Sequence, residues 1–284
     1  MSVGETPNLP SARLVSVYNA LSRNARTGLL VHAALGATIE DRGDHLIVRS
    51  PQNPLFHWGN FVQMTAGYPS DAPHWTTAFA EAFPEASYCA VALTGEPDPA
   101  PWASAGVTIE AETSLIAHSP LRVSTPPDGY VVRPLSGAND WDATVKLALA
   151  DAPDAGAAHA QLCRDMAVVR ERLTLSGEAS WFGCFAGDGA LAASLGIVLL
   201  EDGIARYQAV LTDARHRHRG LATHLLGVAS AWARDQGARQ LVIVADTGSD
   251  AARLYQTAGF TPVEQGFSAY AEIFGATDAA SLHG

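Results

Sequence analysis

The sequence predicts a two-part chain whose second part is a mixed, mostly antiparallel sheet flanked by helices, preceded by a second α+β domain. Three observations predict it. The apolar runs Trp181 to Ala186, Leu191 to Leu200 and Ile204 to Thr212 are joined at Gly187-Asp188-Gly189 and Glu201-Asp202-Gly203, two hairpin signals. The third run leads through a basic turn, Asp213 to Arg219, into a segment with Leu221, Leu225, Val228, Ala229 and Trp232 at helical spacing. Ser124-Thr125-Pro126-Pro127-Asp128-Gly129 disfavours regular structure and divides the chain into residues 1–123 and 128–284.

Residues 1–10 are polar and proline-punctuated and are expected to be loose. Ser11 is placed to cap a helix reaching about Arg23, and Leu29 to Leu35 reads as another short helix. His45 to Arg49 reads as a strand, Pro51-Gln52-Asn53-Pro54 as a turn, and aromatic Leu55 to Met64 as a second strand, with Gly59 marking a bulge or close approach. Trp75 to Phe83 is a helix between prolines, and Tyr88 to Leu93 is a strand. A proline-rich turn then leads to one or two strands over Ala105 to Ile116. In the second part, Tyr130 to Leu135 opens as a strand, followed by helices over Asn139 to Ala150 and Ala157 to Leu175. After the meander, Gly237 stops the long helix, and Leu241 to Asp246 reads as a buried strand of the parallel kind. Thr261 to Phe274 supplies two final strands before a small, polar tail.

Composition narrows the function. The 284 residues hold enough apolar material for a sizeable core. No apolar run approaches the ~20 residues of a membrane span, and the amino terminus lacks the pattern of a signal peptide. The three cysteines have no metal-ligand spacing, so no metal is expected, and reduced thiols in the cytoplasm are. A net charge of -11 argues against general nucleic-acid binding and suits a cationic small molecule such as an amine.

The basic turn carries the most chemistry. Gly220 lets a ligand approach the main chain, the first helical amides point outward with partial positive charge, and Arg215, Arg217 and Arg219 add full charges. Together they suit a phosphate or pyrophosphate. Arg217-His218-Arg219-Gly220-Leu221-Ala222 resembles the Arg/Gln-x-x-Gly-x-Gly/Ala motif of the GNAT superfamily of acetyl-CoA-dependent N-acetyltransferases. Downstream, Ala251 to Phe260 is similar to that family's second signature, Ala-x-x-Leu-Tyr-x-x-x-Gly-Phe. The resemblance covers about half the chain. The first part has no Arg-x-x-Gly-x-Ala turn of its own, yet its order of elements is compatible with a degenerate second copy.

The resemblance implies a sheet splayed between its fourth and fifth strands, with acetyl-CoA as co-substrate and a small-molecule or peptide amine as acceptor. It implies main-chain contacts to the pantetheine arm from Ala209, Val210, Leu211 and Thr212. The amides of Arg217, His218, Arg219, Gly220, Leu221, Ala222 and Thr223 would hold the pyrophosphate. Tyr255 matches the tyrosine that protonates the leaving thiolate; its other reading is a packed helix tyrosine. Asp246, at the end of the fifth strand, is a candidate base, with a capping role as its alternative. The position where many members carry asparagine is Gly248 here, a departure in that loop.

A second reading is an acyl-CoA-binding sensor or interaction module without turnover. Architecture and length also fit a mycothiol-synthase-like tandem enzyme, an analogy at the level of fold alone. The acceptor and the choice between monomer and homodimer stay open.

Overall fold

The computed structural model describes residues 12–123, 125 and 128–272. The expectations for residues 1–10, for Ser11 as a cap, and for the tail from Gly275 lie outside them. The first part runs α1 (Ala12–Ala20), α2 (Arg23–Ala34), β1 (Thr38–Asp41), β2 (His45–Arg49), β3 (Phe61–Met64), α3 (Ala72–Ala82), β4 (Cys89–Leu93), α4 (Pro99–Ser104) and β5 (Thr108–Ala117). The second runs β6 (Tyr130–Pro134), α5 (Ala138–Asp151), α6 (Gly156–Ser176), β7 (Ala179–Ala186), β8 (Leu191–Leu200), β9 (Ile204–Thr212), α7 (Leu221–Asp235), β10 (Gln240–Asp246), α8 (Asp250–Ala258) and β11 (Thr261–Ala271).

These strands form one sheet in the order β1-β2-β3-β4-β11-β5-β10-β9-β8-β7-β6. Only β3–β4 and β9–β10 pair in parallel. The two parts exchange strands at the centre. The first part's β5 lies between β10 and β11, and the second part's β11 lies between β4 and β5. β5 and β11 pair antiparallel from Thr108↔Tyr270 to Thr261↔Ile116. Burial follows the exchange. Leu115 and Ala117 enter the core of the second part, while Ala269 and Ala271 enter that of the first.

The order strand, helix, parallel strand, helix, strand occurs twice, as β3-α3-β4-α4-β5 and β9-α7-β10-α8-β11. α7 buries Leu221, Leu225, Leu226, Ala229 and Ala233 against β7, β8 and β9. Its other side carries the chain between the parts. A Cβ on Gly227 would stand 2.6 Å from the Arg122 carbonyl oxygen, and the Ser230 hydroxyl accepts from the Leu121 amide at 3.1 Å. With α5 and α6 on the opposite face, β7 and β8 are buried along almost their whole length.

Three expectations need correction, and one strand is added. The start of the Leu55–Met64 run is a 3₁₀ turn at His57–Gly59, and only Phe61–Met64 is strand. The Asn60 amide donates to the carbonyls of Asn53 (3.1 Å) and Phe56 (2.9 Å), closing a turn that apolar patterning does not reveal. The proline-rich stretch contains helix α4, because Asp98 accepts from the Ala100 amide and proline is tolerated in a helix's first turn. Thr38–Asp41 adds an edge strand that the sequence does not announce. Residues from Thr261 to Ala271 form one strand rather than two, since the neighbour a hairpin would have supplied is β5.

The exchange has a measurable consequence. Each fully buried leucine contributes ~1.5–3 kcal/mol, and without β5 the strands β10 and β11 lose the partner between them. Residues 128–284 expressed alone are expected to show no cooperative thermal transition by circular dichroism. Co-expression with residues 1–123 should restore it. A lone fragment melting like the full chain would show the exchanged strand to be dispensable.

Candidate active site

The opening between β9 and β10 organises the site. These strands pair only at Gln240↔Ile204, Leu241↔Ala205 and Val242↔Arg206. Beyond that they separate, as the splay expected at the fourth and fifth strands requires. β9 also carries a bulge. Ser194 pairs with Leu211 and Gly196 with Gln208, so Ala209 and Val210 together oppose Leu195. Ala209 has φ +50°, unusual for a residue with a Cβ. The bulge takes main-chain groups of Ala209 and Val210 out of the ladder with β8, at residues that line the opening.

A cavity of about 290 Å³ fills the opening, bounded by Gln208, Ala209, Val210, Val244, Asp246 and Tyr255. Tyr255 is buried, and burial pushes its phenol up to about 12, so it keeps its proton across neutral pH. Its position two turns into α8 follows from the Ser249 cap, whose hydroxyl accepts from the Ala252 amide.

α7 opens at the mouth of the splay. Gly220 is its N-cap in the left-handed region, with φ +78°, and open space where a Cβ would stand. No side chain caps the helix, which leaves the first-turn amides of Leu221, Ala222 and Thr223 available to an anion. The first part's counterpart differs. There Asp71 accepts from the His74 amide and Pro73 removes a donor, so the start of α3 already carries a carboxylate.

The arginines of the basic turn are braces rather than free cations. Arg217 donates to the Thr212 carbonyl (3.1 Å) and to Asp151 (2.6 Å). Arg215 pairs with Asp213 at 2.8 Å and holds that carboxyl down at about 2. Arg219 donates to the Arg215 carbonyl at 3.3 Å. His218 adopts φ +59°, and His216 faces the Tyr130 hydroxyl at 2.8 Å. The turn is thus locked in the shape that presents the α7 amides.

Asp246 lines a second cavity as well, about 350 Å³ on the α2 side of the sheet. Glu110 and Glu112 of the exchanged strand β5 and Arg206 of β9 share it, with Trp58 and Phe267 among its apolar walls. Asp246 and Glu112 are direct cross-strand partners. The Glu110 carboxyl is raised above the usual carboxylate range by partial burial, then by Asp246 and Glu112. Arg206 is held by the Asn24 carbonyl (2.9 Å) and the Thr27 hydroxyl (2.7 Å), and burial lowers it to about 10. Sequence reasoning reached Asp246 but missed Glu110 and Glu112. The alternation Ile109-Glu110-Ala111-Glu112 does put two carboxylates on one strand face, but only the exchange sets them beside Asp246.

A third cavity, about 300 Å³, lies across β9 beneath α5 and α6 and includes Ala209, Val210 and Leu211 in its wall. His159 lines it, close to Cys163 at 3.5 Å. Among the described residues no group of three His, Cys, Asp or Glu is placed to hold a metal ion, and no helix is long and apolar enough to cross a membrane.

Solved structures share this architecture across both parts. A GCN5-related N-acetyltransferase from Kribbella flavida superposes with TM-score 0.62 at 16% identity, over 88% of this chain and 96% of its own. A conserved protein of unknown function from Staphylococcus epidermidis gives 0.63 at 12% identity, over 84% and 96%. A tandem GNAT protein from the clavulanic acid biosynthesis pathway gives 0.53 at 17% identity, over 87% and 86%. No curated protein sequence matches the chain. The model of the acetyltransferase (GNAT) family matches residues 142–260, which hold the bulge, the open helix start and Tyr255. By that match, residues 142–260 form an acetyltransferase (GNAT) family domain.

Proposed function

We propose that the protein transfers an acetyl group from acetyl-CoA to an amine by direct attack in a ternary complex. The observation that supports this best is the opening between β9 and β10, which meets an uncapped helix start at its mouth and Tyr255 in its wall. Acetyl-CoA would supply an activated thioester there. The amides of Leu221 to Thr223 face its pyrophosphate, and the main chain of Ala209 to Leu211 bonds the pantetheine arm and offers an amide to the thioester oxygen.

The residues divide the proton work. The acceptor nitrogen must be neutral to form the new C–N bond, and the raised carboxyl of Glu110, beside Asp246, takes its proton directly or through water. As the C–S bond breaks, the Tyr255 phenol gives its proton to the sulfur. The acidic cavity containing Glu110, Glu112 and Asp246 attracts a cationic amine before it is deprotonated. In this reading residues 1–123 form a degenerate copy of the fold. It has lost the donor site at Asp71 and Pro73 but still contributes a wall of the acceptor cavity.

Three variants test the reading. Ala222→Glu puts a carboxylate in the first turn of α7, where the helix tolerates it and a pyrophosphate does not. Calorimetric titration should show acetyl-CoA binding to the wild type and none to this variant with an unchanged melting temperature. Absent binding to the wild type would sink the donor assignment.

Tyr255→Phe should lower turnover about 100-fold, read by free-thiol release, with acetyl-CoA affinity little changed. Unchanged output would favour an acyl-CoA-binding module. The wild-type rate should rise as pH climbs through the elevated Glu110 pKa, because the base works only when deprotonated. Glu110→Gln should remove that acid limb, and an unchanged limb would assign the base elsewhere.

A further inference from the structure

The cavity under α5 and α6 has chemistry that acetyl transfer leaves unexplained. Its walls are mostly apolar, with Leu162, Met166 and Trp181 among them, and no aspartate or glutamate lines it. Arg170 of α6 also lines it. Its guanidinium makes no hydrogen bond or ion pair with any described residue; it lies over the face of Trp181, 5.9 Å from the ring centroid, with the neutral thiol of Cys163 nearby. Other arginines behave differently. Arg206 has a carbonyl and a hydroxyl, Arg133 has Asp140, Arg217 has Asp151, and Arg172 has Gln52 and the Leu35 carbonyl.

An uncompensated cation among apolar walls is costly and calls for an anion. Burial draws the Arg170 guanidinium down to about 10, which still leaves it charged at neutral pH. One planar fork with two parallel donors matches a carboxylate. A phosphate dianion would need a second permanent cation, and besides His159 no other basic side chain lines the cavity.

We propose that this cavity binds a carboxylate on a short apolar stem, with Arg170 as its anchor. The proposal rests on the acetyltransferase reading. Ala209, Val210 and Leu211 form part of the same wall, so a ligand held at Arg170 extends toward the bulge where the thioester would lie. Two sources present the same chemistry there: an amine acceptor bearing a carboxylate, or a donor whose acyl chain ends in one. At about 300 Å³ the cavity has room for a stem of a few carbons. An acceptor of amino-acid type would have its ammonium on the acidic side of β9 and its carboxylate on this one.

Wild type, Arg170→Met and Arg170→Lys decide the matter. In the donor arm, succinyl-CoA is titrated against butyryl-CoA, which has the same chain length without the charge. In the acceptor arm, free-thiol release from acetyl-CoA is followed with L-amino acids and their carboxamides. In one arm the wild type should favour the carboxylate about tenfold or more. Arg170→Met should abolish that preference and Arg170→Lys should keep part of it. The arm that responds identifies the source. Arg170→Met should hold or raise the melting temperature, since the guanidinium has no hydrogen bond or ion pair to lose, and its distant stacking on Trp181 is replaced by an apolar contact. No preference in either arm, or a preference surviving in Arg170→Met, overturns the proposal. Acetyl-CoA titrated in the same series separates the failures, because its binding would keep the acetyltransferase reading standing when the carboxylate site falls.

Discussion

The antiparallel pairing of β5 with β11 is the contact on which the remaining structure depends. Each strand leaves its own part of the chain and fills a gap in the other's sheet. The backbone groups of β10 and β4 that face these gaps would otherwise be unpaired edges, so the exchange satisfies both at once. It also joins the hydrophobic cores, because Leu115 is buried in one and Ala269 in the other. The result is one continuous sheet in which the two parts share their central strands.

That junction has chemical consequences. β5 brings Glu110 and Glu112 alongside Asp246, and partial burial, then the two neighbouring carboxylates, raise the Glu110 pKa. Like charges placed across a strand pair cost stability. The α2 segment offsets part of that cost. The Asn24 side chain donates to Glu112 and its amide to Glu264, while Arg206 adds a positive charge near both carboxylates. On the other side of β9 the local charge has the opposite sign, with Arg170 and no carboxylate. The bulge at Ala209 and Val210 lies in the wall of both the splay and the Arg170 cavity.

The repeated order of elements makes the asymmetry between the parts instructive. Both parts place a helix after a strand that pairs in parallel with the next one. At α3 an aspartate caps the helix and a proline occupies its first turn, so a side chain already meets the helix's need for a negative partner. At α7 a glycine in the left-handed region begins the helix and leaves that need without a side-chain partner. A few residues at one turn therefore separate a side-chain-capped helix start from an uncapped one.

Much of this was legible in the sequence because it is local. Hairpin glycines fixed the meander of β7, β8 and β9, and helical periodicity together with Gly220 and Gly237 bounded α7. The Leu254-Tyr255 context pointed to the tyrosine that lines the splay. These features come from turn chemistry and side-chain period, which act over a few residues. Three features arose only in the tertiary structure. The 3₁₀ turn before β3 closes through the Asn60 side chain, the strand following Thr261 stays single because β5 replaces its hairpin partner, and Arg170 is left without a counter-ion. The turn closes over four to seven residues through a side chain that apolar patterning does not mark, whereas the other two depend on groups far apart in sequence, as Glu112 and Asp246 are, meeting across a sheet whose order no local propensity specifies. The sequence by itself determined the strands, the turn and the helix that border the splay. Strand exchange decided which charges surround them, because pairing across the centre of the sheet is set by which backbone edges remain unsatisfied.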